Sequence, residues 1–151
     1  MLDQAAKAMV LADSTLNALG CRNGLAPCGQ HRLSSVFDIS MTWNRGVSFG
    51  ALQSEGLARW ILVLAALAIA VVFSLWLIRA ERKLTAVSLA LVIGGAIGNA
   101  IDRVLYGAVI DFLDFSGLSF IWIFNVADAS ITIGAGLLLL DQMLAGRKPQ
   151  G

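Results

Sequence analysis

Residues 56–78 read GLARWILVLAALAIAVVFSLWLI, with a single charge, Arg59, close to the start. Crossing the hydrocarbon of a bilayer takes roughly 20 apolar residues, so this run predicts one spanning helix. It stops at Arg79, Glu81, Arg82 and Lys83. A second apolar stretch covers 84–107, and a third covers 121–145 before Arg147 and Lys148. The whole chain leans the same way. Its 151 residues are 58% hydrophobic and only 14% charged, with mean hydropathy +0.77, whereas soluble domains are roughly half apolar and a quarter charged. The expectation is a single integral membrane domain over 1–151, mostly helical.

Lys and Arg collect at cytoplasmic ends. The cluster at 79–83 and the pair at 147–148 therefore share a side, and the two intervening spans supply the two crossings this requires. Residues 21–55 and 108–120 then lie on the outer side. Within 34–52, SSVFDISMTWNRGVSFGAL, β-branched and aromatic residues surround an Asn-Arg-Gly turn signal, which predicts short strands in a small outer β-domain. Residues 2–20 read as a partial first helix, with Ala5, Ala6, Met9, Val10, Ala12 and Leu16 on an apolar surface interrupted by Asp3, Lys7 and Asp13.

Several classes are disfavoured. A net charge of +1 gives no electrostatic case for nucleic acid. Met1–Leu2–Asp3 lacks the basic start and long apolar run of a cleavable signal peptide. There is neither an internal repeat nor a low-complexity tract. Cys21 and Cys28 flank CRNGLAPC; on an oxidising side they form a disulfide, otherwise two thiols. His31 added to them leaves zinc short of ligands, and neither metal nor cofactor is expected.

An unpartnered polar group in hydrocarbon costs several kcal/mol, so polar and ionisable residues in spans are functional candidates. Here they are Asn99, Asp102 and Arg103 in the second span, Asp111 just past it, and Asn125 and Asp128 at the start of the third. From Leu84 to Gly107 is roughly 35 Å at ~1.5 Å per residue, so Asp111 emerges at the outer interface. Asp128 lies roughly 28 Å from the cytoplasmic boundary, counting back from Arg147 with the same rise. Two separate counts thus bring both carboxylates to one depth.

Two neighbouring carboxylates in a low dielectric resist joint ionisation and hold one proton between them. An ionised member then takes a proton from water while its protonated partner polarises a carbonyl. Asn99 and Arg103, and Asn125 and Asp128, share helix faces by their spacing, giving the pair polar neighbours. Asp102 points elsewhere and pairs with Arg103 or another helix. Gly94 and Gly98 form a small-xxx-small packing pattern, while Asp114 and Asp141 read as ordinary interface residues. Two other readings stand beside peptidase chemistry. The aspartates are helix caps or partners of Arg103, or they are proton relays of a small transporter. Transporter sites, however, sit near the midplane between pseudo-repeats.

Four blocks carry a resemblance: LDQAAK at 2–7, TWNRGVSFGAL at 42–52, GGAIGNAIDRVLYGAVIDFLDF at 94–115 and FNVADASITIG at 124–134. In order and spacing they resemble the lipoprotein signal peptidases (signal peptidase II) of bacteria over nearly the whole chain. The resemblance implies an aspartic endopeptidase of the inner membrane with four spanning helices, the first partial here, and a small periplasmic β-domain. Its catalytic dyad would be Asp111 and Asp128. Its supporting set would be Asp3, Lys7, Asn44, Gly46, Asn99, Asp102, Arg103, Asn125 and Ala127, with Asn44, Asn99, Arg103 and Asn125 touching substrate. That substrate would be a prolipoprotein already carrying diacylglycerol on a cysteine, cut just before the cysteine at the periplasmic face. Relatives place a longer apolar run before the Asp-Gln pair than Met1 and Leu2.

Overall fold

A computed structural model describes residues 2–21, 30–46 and 55–145. Three helices among these are long and apolar enough to cross a membrane: α3 (Glu55–Ile78), α4 (Lys83–Tyr106) and α5 (Val126–Ala145). Helix α4 packs along both α3 and α5. Helix α3 turns mostly apolar, exposed side chains outward, among them Leu64, Val71, Val72 and Leu75, as lipid-facing residues do. Val63 and Ala70 are among its buried positions.

The N-terminal segment is two helices, α1 (Leu2–Ala12) and α2 (Ser14–Ala18). They break at Asp13, whose side chain accepts the Leu16 N–H at 2.9 Å and caps α2. The buried face of α1 is Asp3, Lys7 and Val10, while Leu2 and Met9 are exposed. The polar residues expected to interrupt an apolar surface are thus the ones turned inward. At eleven residues α1 is not one of the helices long enough to span.

The described strands form a four-stranded antiparallel sheet in the order β1 (Gln30–Arg32), β2 (Asp38–Asn44), β3 (Val109–Asp114) and β4 (Ile123–Phe124). Strand β2 lies inside the expected 34–52 region; positions 47–52 of that region are outside the described residues. Two boundaries differ from the sequence reading. Residues 108–120 include a strand rather than loop alone, and 121–124 belong to β4 and its approach rather than to the third span. An apolar run does not by itself separate strand from helix.

Gly107, at φ 78°, ends α4 with its N–H on the Arg103 carbonyl at 3.1 Å. The chain turns there into β3 and carries Asp111 back over the helix end. Beneath the sheet, Val10, Leu16, Cys21, Met41, Ile110 and Phe112 form the core that fastens α1 and α2 to β2 and β3. Cys21 is fully buried and disulfide-bonded; Cys28 lies outside the described residues.

Small residues bring α4 against α5. A Cβ on Gly95 would lie 2.4 Å from the Ala127 carbonyl oxygen, and one on Gly98 would lie 2.8 Å from Asp3 Oδ2. Gly94, expected to pair with Gly98 in packing, faces open space; the packed pair is Gly95 and Gly98. Asp141, expected at an ordinary interface, is fully buried between α4 and α5. Arg82 Nη2 stands 2.8 Å from its Oδ1, and Thr85 Oγ1 donates to its Oδ2.

Candidate active site

The N-terminus of α5 begins the site. Asn125 is its cap: its Oδ1 accepts the Asp128 N–H at 2.8 Å, while Asp128 Oδ2 faces the Asn125 N–H at 3.3 Å. This reciprocal arrangement is a capping box with Asn and Asp in the two roles. It satisfies two backbone donors and holds the Asp128 carboxylate at the positive end of the helix. The next free donor, the Ala127 N–H, is taken by Asp3 Oδ1 at 2.9 Å.

Because its Oδ1 is occupied by Asp128, the Asn125 amide presents its NH2 the other way. One proton goes to Asp111 Oδ1 at 2.7 Å and the other to Asn99 Oδ1 at 3.1 Å. Asn99 Nδ2 in turn donates to Asp128 Oδ1 at 2.8 Å. On the far side of Asp111, Asn44 Nδ2 donates to Oδ2 at 2.9 Å. Asn44 is oriented by the Gly46 N–H, which donates to its Oδ1 at 2.9 Å, an Asx turn. Gly46 sits at φ 92°, and a Cβ there would meet Leu62 Cδ1 at 2.5 Å, so both conformation and space call for glycine.

Each carboxylate therefore accepts two N–H groups, and Asn125 donates to both. Asp111 is 2% exposed and Asn125 is fully buried. Burial raises the Asp111 carboxyl from 3.8 to about 6; the nearby Asp128 charge adds to this, and the Asn44 and Asn125 donors oppose it.

A second layer supports the first. Lys7 Nζ lies 2.6 Å from Asp102 Oδ2, 2.8 Å from Asp3 Oδ2 and 3.5 Å from Asn99 Oδ1. Asp102 also accepts from Gln4 Nε2 at 2.8 Å and from the Ile110 N–H at 3.1 Å. Asp102 thus pairs with α1 and the start of β3, not with Arg103. It ties the strand that carries Asp111 to the helix that carries Asn99. Arg103 donates through Nη1 to the Asn99 carbonyl at 3.3 Å, its buried Nε has no hydrogen-bond partner among the described residues, and it lies within electrostatic reach of Asp128 and Asp111. All eleven residues expected from the sequence fall in this assembly, Gly46 and Ala127 through their backbones. Gln4 was missed, although it stands inside the DQAAK block beside Asp3. Among the described residues no cluster of His, Cys, Asp and Glu could hold a metal ion.

A cleft of about 550 Å³ opens on the Asp111 side, bounded by Thr42–Gly46 and Ile121–Ile123. A second cavity of about 350 Å³ opens on the Asp128 side.

Comparison with known proteins places this arrangement. The family model described as signal peptidase (SPase) II matches residues 1–144. The lipoprotein signal peptidase of Methylorubrum extorquens (strain PA1) is 49% identical over 114 residues, covering 74% of this chain and 67% of that one. The lipoprotein signal peptidase of Rhodopseudomonas palustris (strain TIE-1) is 40% identical over 149 residues, covering 95% and 85%. A solved bacterial membrane enzyme, determined by the in meso method at 2.3 Å, superposes with a TM-score of 0.70 at 25% identity, covering 97% of this chain and 90% of its own. The chain belongs to the signal peptidase II family.

Proposed function

We propose that Asp111 and Asp128 are the catalytic dyad of this enzyme, an aspartic peptidase of the lipoprotein signal peptidase type. It removes the signal peptide from prolipoproteins, as its relatives' names describe. The transporter reading draws no support from a chain of this family. The substrate carries diacylglycerol on a cysteine, and the bond broken is the amide just before that cysteine. The observation that carries the proposal is Asn125, whose side chain and backbone N–H hold one carboxylate each.

The chemistry follows from that geometry. One carboxylate, ionised, takes a proton from a water as its oxygen adds to the scissile carbonyl; the other, protonated, donates to the carbonyl oxygen. The tetrahedral species collapses as the amine of the cysteine leaves with a proton. The signal peptide keeps the new carboxylate, and the lipoprotein keeps a free amino group. The cleft beside Asp111, with Thr42, Asn44 and Arg45 on its wall, suits an extended peptide. Gly46 stands on the same wall, whereas Ala127 is buried against Gly95 and Gly98 of α4 and does not border this cleft.

In the same proposal the protein is one domain in the bacterial inner membrane, its site towards the periplasm. Helix α1 takes the place of the first helix of a four-helix bundle, beside α4 and α5. Cleavage of a purified diacylglyceryl prolipoprotein tests the function. Asp111→Asn and Asp128→Asn should each remain folded, lose at least about a hundredfold in rate and accumulate uncut precursor. Normal processing by either variant would refute the dyad.

A further inference from the structure

We infer that Arg59, near the start of α3, is a positioning residue for Asp111, because it pins the end of α4 from which strand β3 departs. The inference rests on the peptidase reading above and adds a residue outside the hydrogen bonds of the dyad itself. Arg59 is the single charge of residues 56–78. An arginine near the end of a span ordinarily runs its head out to the lipid headgroups. This one reaches sideways. Its Nη2 donates to the Val104 carbonyl at 2.7 Å, and its buried Nε has no hydrogen-bond partner among the described residues. The guanidinium carbon stands 5.0 Å from the centre of the Trp60 ring, a cation–π contact that narrows the directions in which the head points.

The bond to Val104 falls where α4 needs it. The last carbonyls of a helix have no partner within it. In α4 the Arg103 carbonyl takes the Gly107 N–H, and the Val104 carbonyl takes Arg59. The Ile110 N–H is tied to Asp102 of the same helix at 3.1 Å, so β3 and Asp111 move with the end of α4. Arg59 fastens that end to α3. The same face of α3 backs a donor to Asp111, since positions three apart are neighbours on a helix. Leu62 lies against Gly46, where a Cβ would meet Leu62 Cδ1 at 2.5 Å, and the Gly46 N–H orients Asn44. The start of α3 thus supports both the strand of Asp111 and the amide that donates to its carboxylate.

The test is steady-state cleavage of a diacylglyceryl prolipoprotein by the full-length chain in detergent. It compares wild type with Arg59→Met, which keeps the apolar stem but loses the donors, and Arg59→Lys, which keeps the charge and a donor. Arg59→Met should lower kcat about tenfold per folded molecule with KM changed less than about twofold, and Arg59→Lys should recover most of that loss. The limb of the pH–activity profile set by Asp111 should also move to higher pH in Arg59→Met. A displaced carboxylate loses the Asn44 and Asn125 donors that favour its ionised form. A merely structural role lowers activity in proportion to folded protein and leaves the profile in place. That outcome, a loss confined to KM, or an Arg59→Lys as impaired as Arg59→Met would overturn the inference. Should Arg59→Met not fold, Trp60→Leu decides, because it leaves the guanidinium and removes the ring that orients it. It should lower kcat about two- to threefold with the same direction of pH shift, and wild-type kinetics there would contradict the inference. A wild-type protein that leaves the precursor uncut would refute the peptidase reading itself, a result separate from any of these.

Discussion

At the scale of single residues, Asp111 carries the clearest physical signature. Its carboxyl is raised from 3.8 to about 6, chiefly by burial. The folded protein thus holds that proton more tightly than the unfolded chain does. The stability associated with it is complete below about pH 4 and is lost as pH rises through about 6, a difference of roughly 3 kcal/mol. Asp111→Asn removes the titration, so its melting midpoint in detergent should fall less than that of wild type between pH 4 and 7. Parallel profiles would show that burial at Asp111 does not govern its proton. Asn44 opposes the rise by donating to the ionised form. In Asn44→Ala the limb of the activity profile set by Asp111 should move to higher pH; a profile that shifts down or stays in place would contradict this. Asn99, Asp102, Arg103, Asp111, Asn125 and Asp128 were legible in the sequence, because polar residues in an apolar segment are few and helical depth is arithmetic; Asp3, Lys7, Asn44, Gly46 and Ala127 came only from the family resemblance. Helix capping, weighed beside catalysis, is also present: Asp128 closes the capping box with Asn125, and that bond is what aims its side chain. Partner choice was not legible. Asp102 reaches Lys7 and Gln4 rather than its neighbour Arg103, and only the packing of α1 on α4 decides that.

At the scale of elements, the glycine-lined approach of α4 to α5 sets the spacing between Asn99 and the Asn125–Asp128 cap. A methyl on Gly95 would strike the Ala127 carbonyl and Ile131 Cγ1 at 2.4 and 2.6 Å. Gly95→Ala should therefore cost about 1–3 kcal/mol of stability, the usual penalty of overpacking, and lower the cleavage rate by displacing Ala127. Gly94→Ala, one residue away, meets open space and should be neutral or raise stability slightly through helix propensity. Thermal melts of the two variants side by side decide the matter, and equal effects would contradict the packing described. Sequence pattern located the small-residue seam on α4 and its member Gly98 but named Gly94 where the packed residue is Gly95, since the three glycines fit more than one spacing and only the partner helix selects among them. Strand β3 escaped detection for a related reason. Val109–Asp114 is a short apolar run just past a helix, and its strand character comes from pairing with β2, a long-range contact that no local window contains.

At the scale of the whole molecule, two ends of the bundle carry different chemistry. Arg82 at the start of α4 clasps Asp141 near the end of α5, and Arg79, Glu81 and Lys83 stand beside it. The opposite end carries the sheet, the dyad and the disulfide-bonded Cys21. Basic residues favour the cytoplasm and disulfides persist in oxidising compartments. The two considerations come from different physics, and both support the proposed orientation, with Asp111 and Asp128 on the outer side. Single cysteines placed at exposed positions, Ser34→Cys in the outer domain and Glu81→Cys between α3 and α4, should report this orientation in intact cells. A membrane-impermeant thiol reagent should label Ser34→Cys directly and Glu81→Cys only after the inner membrane is opened. The reverse pattern would turn the site towards the cytoplasm and separate it from a precursor whose cysteine is presented at the outer face.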